Sequence, residues 1–256
     1  MQIRSSIVLV LLAACGGDGG GDVRTISARG PLWGARFAPD GATLAVAFGP
    51  DDKIGTLDVA TGAITELATN GNYLTGTAWT AAGDAIYYNG GGGVFRVAPG
   101  VAATMVNDAF ASMNVDLSPD GTRLAYGING ANAEIYTLAT ATTSVLDHRC
   151  EAIRFAPVVD EVACISGGSL LAINLSSRVA TTIIADGVSF IAGVDWYADG
   201  ERLVFTSDDG IERVTRGGDR SLLHDAFATI ELDLSPDEHS LVYVTNGSGD
   251  LSILKL

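Results

Sequence analysis

Acidic and amide side chains recur at the start of the loop that enters each repeat of this sequence after the first. They are Asn70, Asp108, Asp147, Asp186 and Asp225. A ring of such oxygens could bind a cation or a basic, extended peptide. The same residue types also cap turns by accepting backbone N–H hydrogen bonds. Since a calcium site needs about six to eight converging oxygens, turn capping is the simpler interpretation and ligand binding is the alternative.

Other residues that could do chemistry are not arranged for it. The histidines His148, His224 and His239 have no metal-ligand spacing. The sequence contains no Gly-x-Ser-x-Gly elbow, no His-Glu-x-x-His motif and no phosphate-binding loop. We therefore predict that the chain is not an enzyme and that it needs no cofactor.

The loop residues belong to a pattern that repeats about every forty residues, which is typical of a propeller. Each copy has an aromatic residue or leucine, then a turn that often reads Pro-Asp-Gly, and then an apolar strand. The lead residues are Phe37, Trp79, Leu117, Phe155, Trp196 and Leu234, at steps of 42, 38, 38, 41 and 38 residues. Two more short alternating segments follow, so one repeat supplies four strands.

The repeats predict an all-β fold, namely a six-bladed β-propeller of four-stranded antiparallel blades. The sixth copy ends after its third strand, and a strand-like segment at residues 23–27 precedes the first copy. We predict that this N-terminal strand pairs into the last blade and closes the ring, which would cover an open sheet edge. Helix should be nearly absent, since no stripe with a period of 3.6 residues is found.

The hairpin Ser-Pro-Asp-Gly-x-x-Leu-Ala at residues 118–125 carries a family resemblance. It resembles the TolB-like, WD40-like (PD40-type) propeller repeat, and the likeness extends over residues 23–256. The Trp-Asp and Gly-His pairs of true WD repeats are missing. The resemblance implies a periplasm-side recognition domain that works through protein contacts.

The N-terminal residues have the pattern of a signal peptide, with Arg4 followed by an apolar run at residues 7–14. The segment Leu12-Ala-Ala-Cys15 resembles the bacterial lipobox, which implies that Cys15 is lipidated; an ordinary secretory signal is the alternative. We predict a signal peptide at 1–14, a lipidated cysteine and Gly-rich tether at 15–22, and the propeller at 23–256. The predicted location is the bacterial cell envelope, and Gly16 after the cysteine favours the outer membrane.

The formal charge of −15 indicates which partners to expect. Such a surface repels nucleic acid and anionic headgroups, so we predict contact with the bilayer through the acyl anchor only and no nucleic-acid binding. We predict a monomer that binds an envelope protein or peptide of basic or extended character. The alternative function is a calcium-dependent propeller hydrolase similar to a lactonase.

The loops that enter the blades share one face of a propeller with the loops between the second and third strands. We therefore predict that Asn70, Asp108, Asp147, Asp186 and Asp225 gather at one mouth of the channel as a partner-binding surface. Two of these loops match, since residues 105–110 align with residues 222–227. The aromatic residues Phe110, Phe190 and Phe227 are expected to wedge between blades.

A second set of charged residues comes just before the lead residues and should line the channel. It consists of Arg36, Asp116, Arg154, Asp195 and Asp233, with Ala78 at the remaining position. Buried charges need partners, so we predict a salt-bridged collar in which Arg154 lies between Asp116 and Asp195, and Arg36 beside Asp233. A ligand-binding role for the collar is the alternative.

Cys150 and Cys164 lie on neighbouring strands of one hairpin. The turn position predicts that Cys164 faces Ile153, which leaves an offset of about 10 Å to Cys150 and places it beyond disulfide reach. We therefore expect buried free thiols. A β-bulge that closed the gap would instead allow a disulfide.

Overall fold

The structure of the chain is a computed structural model that describes residues 12–14, 22–26, 32–49, 53–69, 76–109, 112–189, 193–226, 231–245 and 249–256. Within these ranges every regular element is a β-strand. None of the described residues belongs to a helix that is long and apolar enough to span a membrane.

The described strands number 25. The N-terminal pair is β1 (Leu12–Ala14) and β2 (Val23–Ile26). Blades 1 to 3 contain β3 (Leu32–Phe37), β4 (Thr43–Phe48), β5 (Lys53–Asp58), β6 (Ile64–Ala68), β7 (Thr77–Trp79), β8 (Ile86–Gly90), β9 (Gly93–Ala98), β10 (Val101–Asn107), β11 (Ser112–Leu117), β12 (Arg123–Ile128), β13 (Ala131–Thr137) and β14 (Thr142–Val145). Blades 4 to 6 contain β15 (Ala152–Phe155), β16 (Glu161–Ser166), β17 (Ser169–Asn174), β18 (Ala180–Ile184), β19 (Val194–Trp196), β20 (Arg202–Ser207), β21 (Gly210–Thr215), β22 (Arg220–His224), β23 (Leu232–Leu234), β24 (Ser240–Val244) and β25 (Leu251–Lys255).

These strands form six antiparallel sheets, and in blades 1 to 5 the strands follow the order of the chain from the innermost strand outward. In blade 6, β25 pairs with β2, so the N-terminal strand is the fourth strand of the last blade. The predicted six-bladed propeller and its closure are therefore confirmed. Strand β1, from the predicted signal peptide, pairs with the outer edge of β2 as a fifth strand.

The core of the described part lies between blades. Six clusters of buried apolar side chains are found there, one at each boundary. The cluster at the closure joins Ile26 and Val242 of blade 6 to Leu44 of blade 1. Each side chain in such a cluster is removed from water by a neighbouring sheet, which stabilises the ring as a whole.

The repeated Pro-Asp-Gly turns serve folding. Asp40 accepts hydrogen bonds from the backbone N–H groups of Ala42 at 2.8 Å and Thr43 at 3.0 Å. Gly41 has a φ of +68°, a left-handed conformation that favours glycine. The same carboxylate geometry recurs at Asp199. These contacts fix the first hairpin of the blade and thereby the end of its innermost strand.

The expectation of free thiols was wrong, because Cys150 and Cys164 form a disulfide whose Cα atoms are 5.2 Å apart. The predicted register was correct, since Ile153 pairs with Cys164. However, β15 begins only at Ala152, so Cys150 does not continue the strand. The bend before the strand brings the cysteine back over its hairpin partner, and both residues are buried.

Candidate functional site: the channel collar and the loop face

The collar residues are the penultimate residues of the innermost strands, as the spacing of the repeats indicates. The residues are Arg36 in β3, Ala78 in β7, Asp116 in β11, Arg154 in β15, Asp195 in β19 and Asp233 in β23. Antiparallel pairing to the second strand holds each of these innermost strands in its blade. The ring therefore gathers charges that lie far apart in sequence.

Arg36 connects its own blade 1 to three other blades. Its Nε donates to Asp233 of blade 6 at 3.0 Å, and its Nη1 donates to Asp116 of blade 3 at 2.6 Å. Nη1 also donates to the backbone carbonyl of Thr77 in blade 2 at 3.0 Å. The side chain of Arg36 is 14 % exposed, so the pairs are largely shielded from solvent. The predicted neighbour Asp233 is thus joined by a second carboxylate from the far side of the ring.

Arg154 has a different partner from the predicted ones. Arg154 forms an ion pair with neither Asp116 nor Asp195. Instead, its Nη2 donates to Glu231 at 3.0 Å. Its Nη1 donates to Asn114 at 2.7 Å. With side-chain exposures of 1 % and 2 %, Arg154 and Glu231 form a fully buried ion pair across the ring.

Sequence reasoning missed Glu231 and Asn114. Glu231 lies two positions before Asp233, and Asn114 lies two positions before Asp116. Residues two positions apart on a strand share a face, so a channel-facing aspartate implies a channel-facing residue two positions earlier. Regular alternation does not reach either residue, however, because Glu231 lies just before β23 and Asn114 lies at a β-bulge with a φ of +45°.

The collar aspartates also join blades through backbone bonds. Asp233 accepts the N–H of Phe37 at 2.7 Å, and Asp116 accepts the N–H of Phe155 at 2.7 Å. Asp195 accepts the N–H of Leu234 at 2.8 Å. In each case the carboxylate binds the innermost strand of the next blade. The aspartates therefore act as staples between blades as well as ion-pair partners.

Tryptophans make the connection at two other boundaries. The indole N–H of Trp79 donates to the carbonyl of Arg36 at 3.2 Å. The indole N–H of Trp196 donates to the carbonyl of Arg154 at 3.3 Å. Both contacts run from the lead residue of one blade to the preceding blade. Hence the aromatic lead residues of the repeat have a structural role at the channel.

Carboxylates outnumber guanidinium groups in the collar. The acidic members are Asp116, Asp195, Glu231 and Asp233, whereas the basic members are Arg36 and Arg154. Among the described residues, Asp195 accepts hydrogen bonds from backbone N–H groups alone, those of Trp196 at 2.9 Å and of Leu234 at 2.8 Å. Its pKa is raised to about 7, first by desolvation and then by the negative charge of Asp233, against the positive charges of both arginines. Burial likewise raises the pKa of Glu231 and of Asp233.

The raised pKa of Asp195 predicts a pH-dependent stability. Between the ordinary pKa of 3.8 and the folded value of about 7, the folded state binds more protons than the unfolded state. The free energy of unfolding therefore falls as pH rises through this window, by at most about 1.4 kcal/mol per pH unit for one group. We expect Asp195→Asn to flatten the fall, as measured by urea unfolding at pH 5, 6, 7 and 8.

The control for this prediction is Asp186→Asn, which makes the same charge change at an exposed site. That variant should keep the wild-type slope. Because an asparagine oxygen cannot replace both carboxylate oxygens, Asp195→Asn should also lose some stability at every pH. An unchanged slope in Asp195→Asn would show that this carboxylate is ionised throughout the range.

The predicted acidic loop residues lie on the rim of the loop face. Asp108, Asp147, Asp186 and Asp225 each follow the outermost strand of a different blade, and all four are exposed. Asn70 lies outside the described residues. The four aspartates therefore occupy equivalent, solvent-exposed loop positions in four successive blades. No three His, Cys, Asp or Glu side chains in the described ranges are grouped so that they could hold a metal ion.

The two matching loop motifs are junctions between blades. Asn107 donates from Nδ2 to the hydroxyl of Tyr126 in the next blade at 2.8 Å. At the equivalent junction, the ring of His224 lies 6.0 Å from the ring of Tyr243. Phe110, Phe190 and Phe227, which were predicted to wedge between blades, lie outside the described residues.

Both junctions require a close approach of two backbone segments. A Cβ atom on Gly93 would lie 2.1 Å from the carbonyl oxygen of Asn107, and one on Gly210 would lie 2.3 Å from that of His224. Only glycine fits such a contact. The first residue of the third strand, Gly93 in β9 and Gly210 in β21, therefore lies directly against the end of the fourth strand of the same blade, just before Asp108 and Asp225.

A groove of about 710 Å³ opens between blades 2 and 3. One wall is the end of β10 with the residues that follow it, and the other wall consists of side chains from β12, β13 and β14. Asp108 lines this groove together with Glu134 of β13. The loop face thus offers a concave surface next to one of the predicted acidic residues.

Six radial, four-stranded blades around a charged channel define the chain as a six-bladed β-propeller. It is similar to the β-propeller domain of Myceliophteria thermophila Cps50 (Swd1), with a TM-score of 0.67, 14 % identity, and coverage of 91 % of this chain and 99 % of that chain. A Bacteroides thetaiotaomicron structural genomics protein of unknown function has a TM-score of 0.71 at 11 % identity, over 95 % of this chain and 87 % of that chain.

A third similar structure is an oligogalacturonate lyase in complex with manganese. Its TM-score is 0.66 at 12 % identity, with coverage of 100 % of this chain and 98 % of that chain. Similarities at this level of identity show the fold alone. No family model matches the sequence, and no curated protein matches it.

Proposed function

We propose that the chain is a non-enzymatic recognition module of the bacterial cell envelope. In this proposal a lipid on Cys15 anchors the protein, and the outer membrane is the favoured location. The propeller is TolB-like and acts as a monomer. Its partner is an envelope protein or peptide of basic or extended character. The lipobox resemblance and the Ser-Pro-Asp-Gly repeats support this function, although Cys15 itself lies outside the described residues.

The observation that carries the proposal is the contrast between the two sets of charges. The buried collar charges are engaged inside the protein, by ion pairs and backbone hydrogen bonds. The carboxylates of Asp108, Asp147, Asp186 and Asp225 instead face solvent on loops of a rigid ring. Exposed groups on a rigid scaffold are suited to binding a partner, and their charge favours a basic one.

The disulfide between Cys150 and Cys164 supports the envelope location. Disulfides persist in oxidising compartments such as the bacterial periplasm and are rare in the cytosol. The cross-link therefore agrees with export through the predicted signal peptide.

The proposal predicts that the lipid-anchored protein captures one abundant partner in cells. In-cell cross-linking followed by mass spectrometry should recover it from wild type but not from the triple variant Asp108→Ala, Asp186→Ala and Asp225→Ala. The loss should be at least tenfold, because three charges leave the loop face while the buried collar stays intact.

The matched control removes three carboxylates from the opposite face, in Asp84→Ala, Glu201→Ala and Asp219→Ala. This variant should retain the partner. Capture by wild type and by both triple variants would refute an acidic binding face. In addition, calcium should leave the melting temperature unchanged; a clear rise would favour the calcium-dependent hydrolase, since a ligand that binds the folded state stabilises it.

A further inference from the structure

The groove between blades 2 and 3 has a polar floor whose hydroxyl groups are held by the protein. The Tyr126 hydroxyl accepts the Asn107 amide at 2.8 Å, and the Tyr136 hydroxyl donates to the carbonyl of Val106 at 3.2 Å. Burial raises the pKa of Tyr126, and the negative charge of Glu134 raises it further. The phenol of Tyr126 therefore stays neutral at physiological pH.

Glu134 supplies a carboxylate beside this floor. It pairs with Tyr126 across β12 and β13, and with Val145 across β13 and β14. The residue is half-buried. Its side chain shares a hydrogen bond with the Tyr126 hydroxyl and forms no ion pair with any described residue. A carboxylate in this setting is a stronger electrostatic partner than one in open water, because part of its hydration is already lost.

The charged side chains that line the groove are both negative. Asp108 and Glu134 contribute two carboxylates, whereas lysine, arginine and histidine are absent among its lining residues. Arg178 approaches from outside, where it donates to the carbonyl of Val145 at 3.1 Å and to the hydroxyl of Ser144. Its guanidinium is thus engaged at the back of β14 and does not line the groove.

Apolar side chains stand at both edges of the groove. Met105 on the blade 2 side is 53 % exposed, and Val145 on the blade 3 side is 55 % exposed. An exposed apolar edge next to a carboxylate suits a long methylene chain that ends in a cation. Lysine and arginine side chains have this character, since they bury their stems on apolar surface and keep the charged head near polar groups.

The equivalent junction between blades 5 and 6 differs in the decisive residue. There Tyr243 pairs with Ser252, in the place where Tyr126 pairs with Glu134. Asp225 occupies the position of Asp108 in the matching loop. One junction therefore combines a loop carboxylate with a half-buried carboxylate, whereas the other has only the loop carboxylate.

We propose that the groove between blades 2 and 3 binds a lysine or arginine side chain on an extended segment of a partner protein. The cationic head lies between Glu134 and Asp108, and its methylene stem contacts Met105 and Val145. This inference rests on the proposed recognition function and assigns it a site. The segment is a protein strand or loop, because the exposed edges on both sides leave room for a chain to run across the groove.

A blocked peptide, acetyl-Thr-Val-Lys-Val-Thr-amide, tests the proposal on the full 256-residue chain. Its neutral counterpart carries norleucine in place of lysine. NMR titration should shift the amide signals of Asn107 and Val145, with the norleucine peptide binding at least tenfold more weakly. Glu134→Gln should weaken binding of the lysine peptide about tenfold, whereas Asp225→Asn should leave it unchanged.

Three outcomes would overturn the proposal: no binding of the lysine peptide, equal binding of both peptides, or wild-type affinity in Glu134→Gln. Melting temperatures of both variants control for folding, since each change keeps the size of the side chain. The cellular cross-linking separates this inference from the proposed function. A partner that Glu134→Gln retains and the loop-face triple variant loses would leave the recognition function standing and place its site elsewhere.

Discussion

Replacing Arg154 with alanine is expected to lower the melting temperature by on the order of 10 °C. Arg154 is 1 % exposed and pairs with Glu231, which is 2 % exposed. Removing one partner of a buried ion pair leaves an uncompensated charge and typically costs about 3–5 kcal/mol. In a domain of this size each kcal/mol shifts the melting temperature by about 2–4 °C. Thermal unfolding followed by circular dichroism measures the change.

Two further variants separate charge burial from the loss of an arginine as such. Arg149→Ala removes an exposed arginine whose contact with Glu151 is 3.6 Å long, and it should change stability by less than about 1 kcal/mol. The double variant Arg154→Met with Glu231→Leu should recover most of the loss, because apolar residues can replace a buried pair without a large penalty. If Arg154→Ala had the same melting temperature as the wild-type protein, the channel would have to be open to water.

Loss of the disulfide is expected to lower the free energy of unfolding by about 3 kcal/mol, as cross-links closing loops of this length do. The bond joins residues that are 14 positions apart and fully buried. The double variant Cys150→Ala with Cys164→Ala should therefore unfold at a clearly lower urea concentration. Since the bond acts mainly by restricting the unfolded chain, the folded blade should keep its strands.

Reduced wild-type protein is the matched control, because it differs from the oxidised protein only in the bond itself. Its stability should fall by a similar amount. Thiol titration of the unfolded, unreduced chain provides the second readout. Of the three cysteines in the sequence, only Cys15 should react if it is not lipidated. Reaction of two more thiols would show that Cys150 and Cys164 are reduced.

The fold was predictable because it is encoded locally and then repeated. The turn at Asp40 and Gly41 recurs with the same hydrogen-bonding role at Asp199, and each copy sets the register of its own hairpin. The lone strand at residues 23–27 likewise indicated the closure, because a blade with three strands leaves an open edge. Strand periodicity acts over a few residues, so it can be read from the chain directly.

The cysteine prediction failed at a place where the strand pattern ends. The pairing of Ile153 with Cys164 was correct, but Cys150 lies before β15 and follows the bend of the chain. An offset calculated along an extended strand therefore overestimated the distance between the two sulfur atoms. Sequence periodicity gives no information about the direction of a residue just outside the periodic segment.

By itself, the sequence determined the blade number, the strand order and the closure of the ring. Only the tertiary structure decided that Arg36 binds Asp116 and Asp233, and that Arg154 binds Glu231. It also placed Asp108 beside Glu134 in a groove between two blades. The physical reason is that a repeat specifies its own hydrogen bonds, whereas ion pairs and grooves depend on distances across the ring, which no single repeat contains.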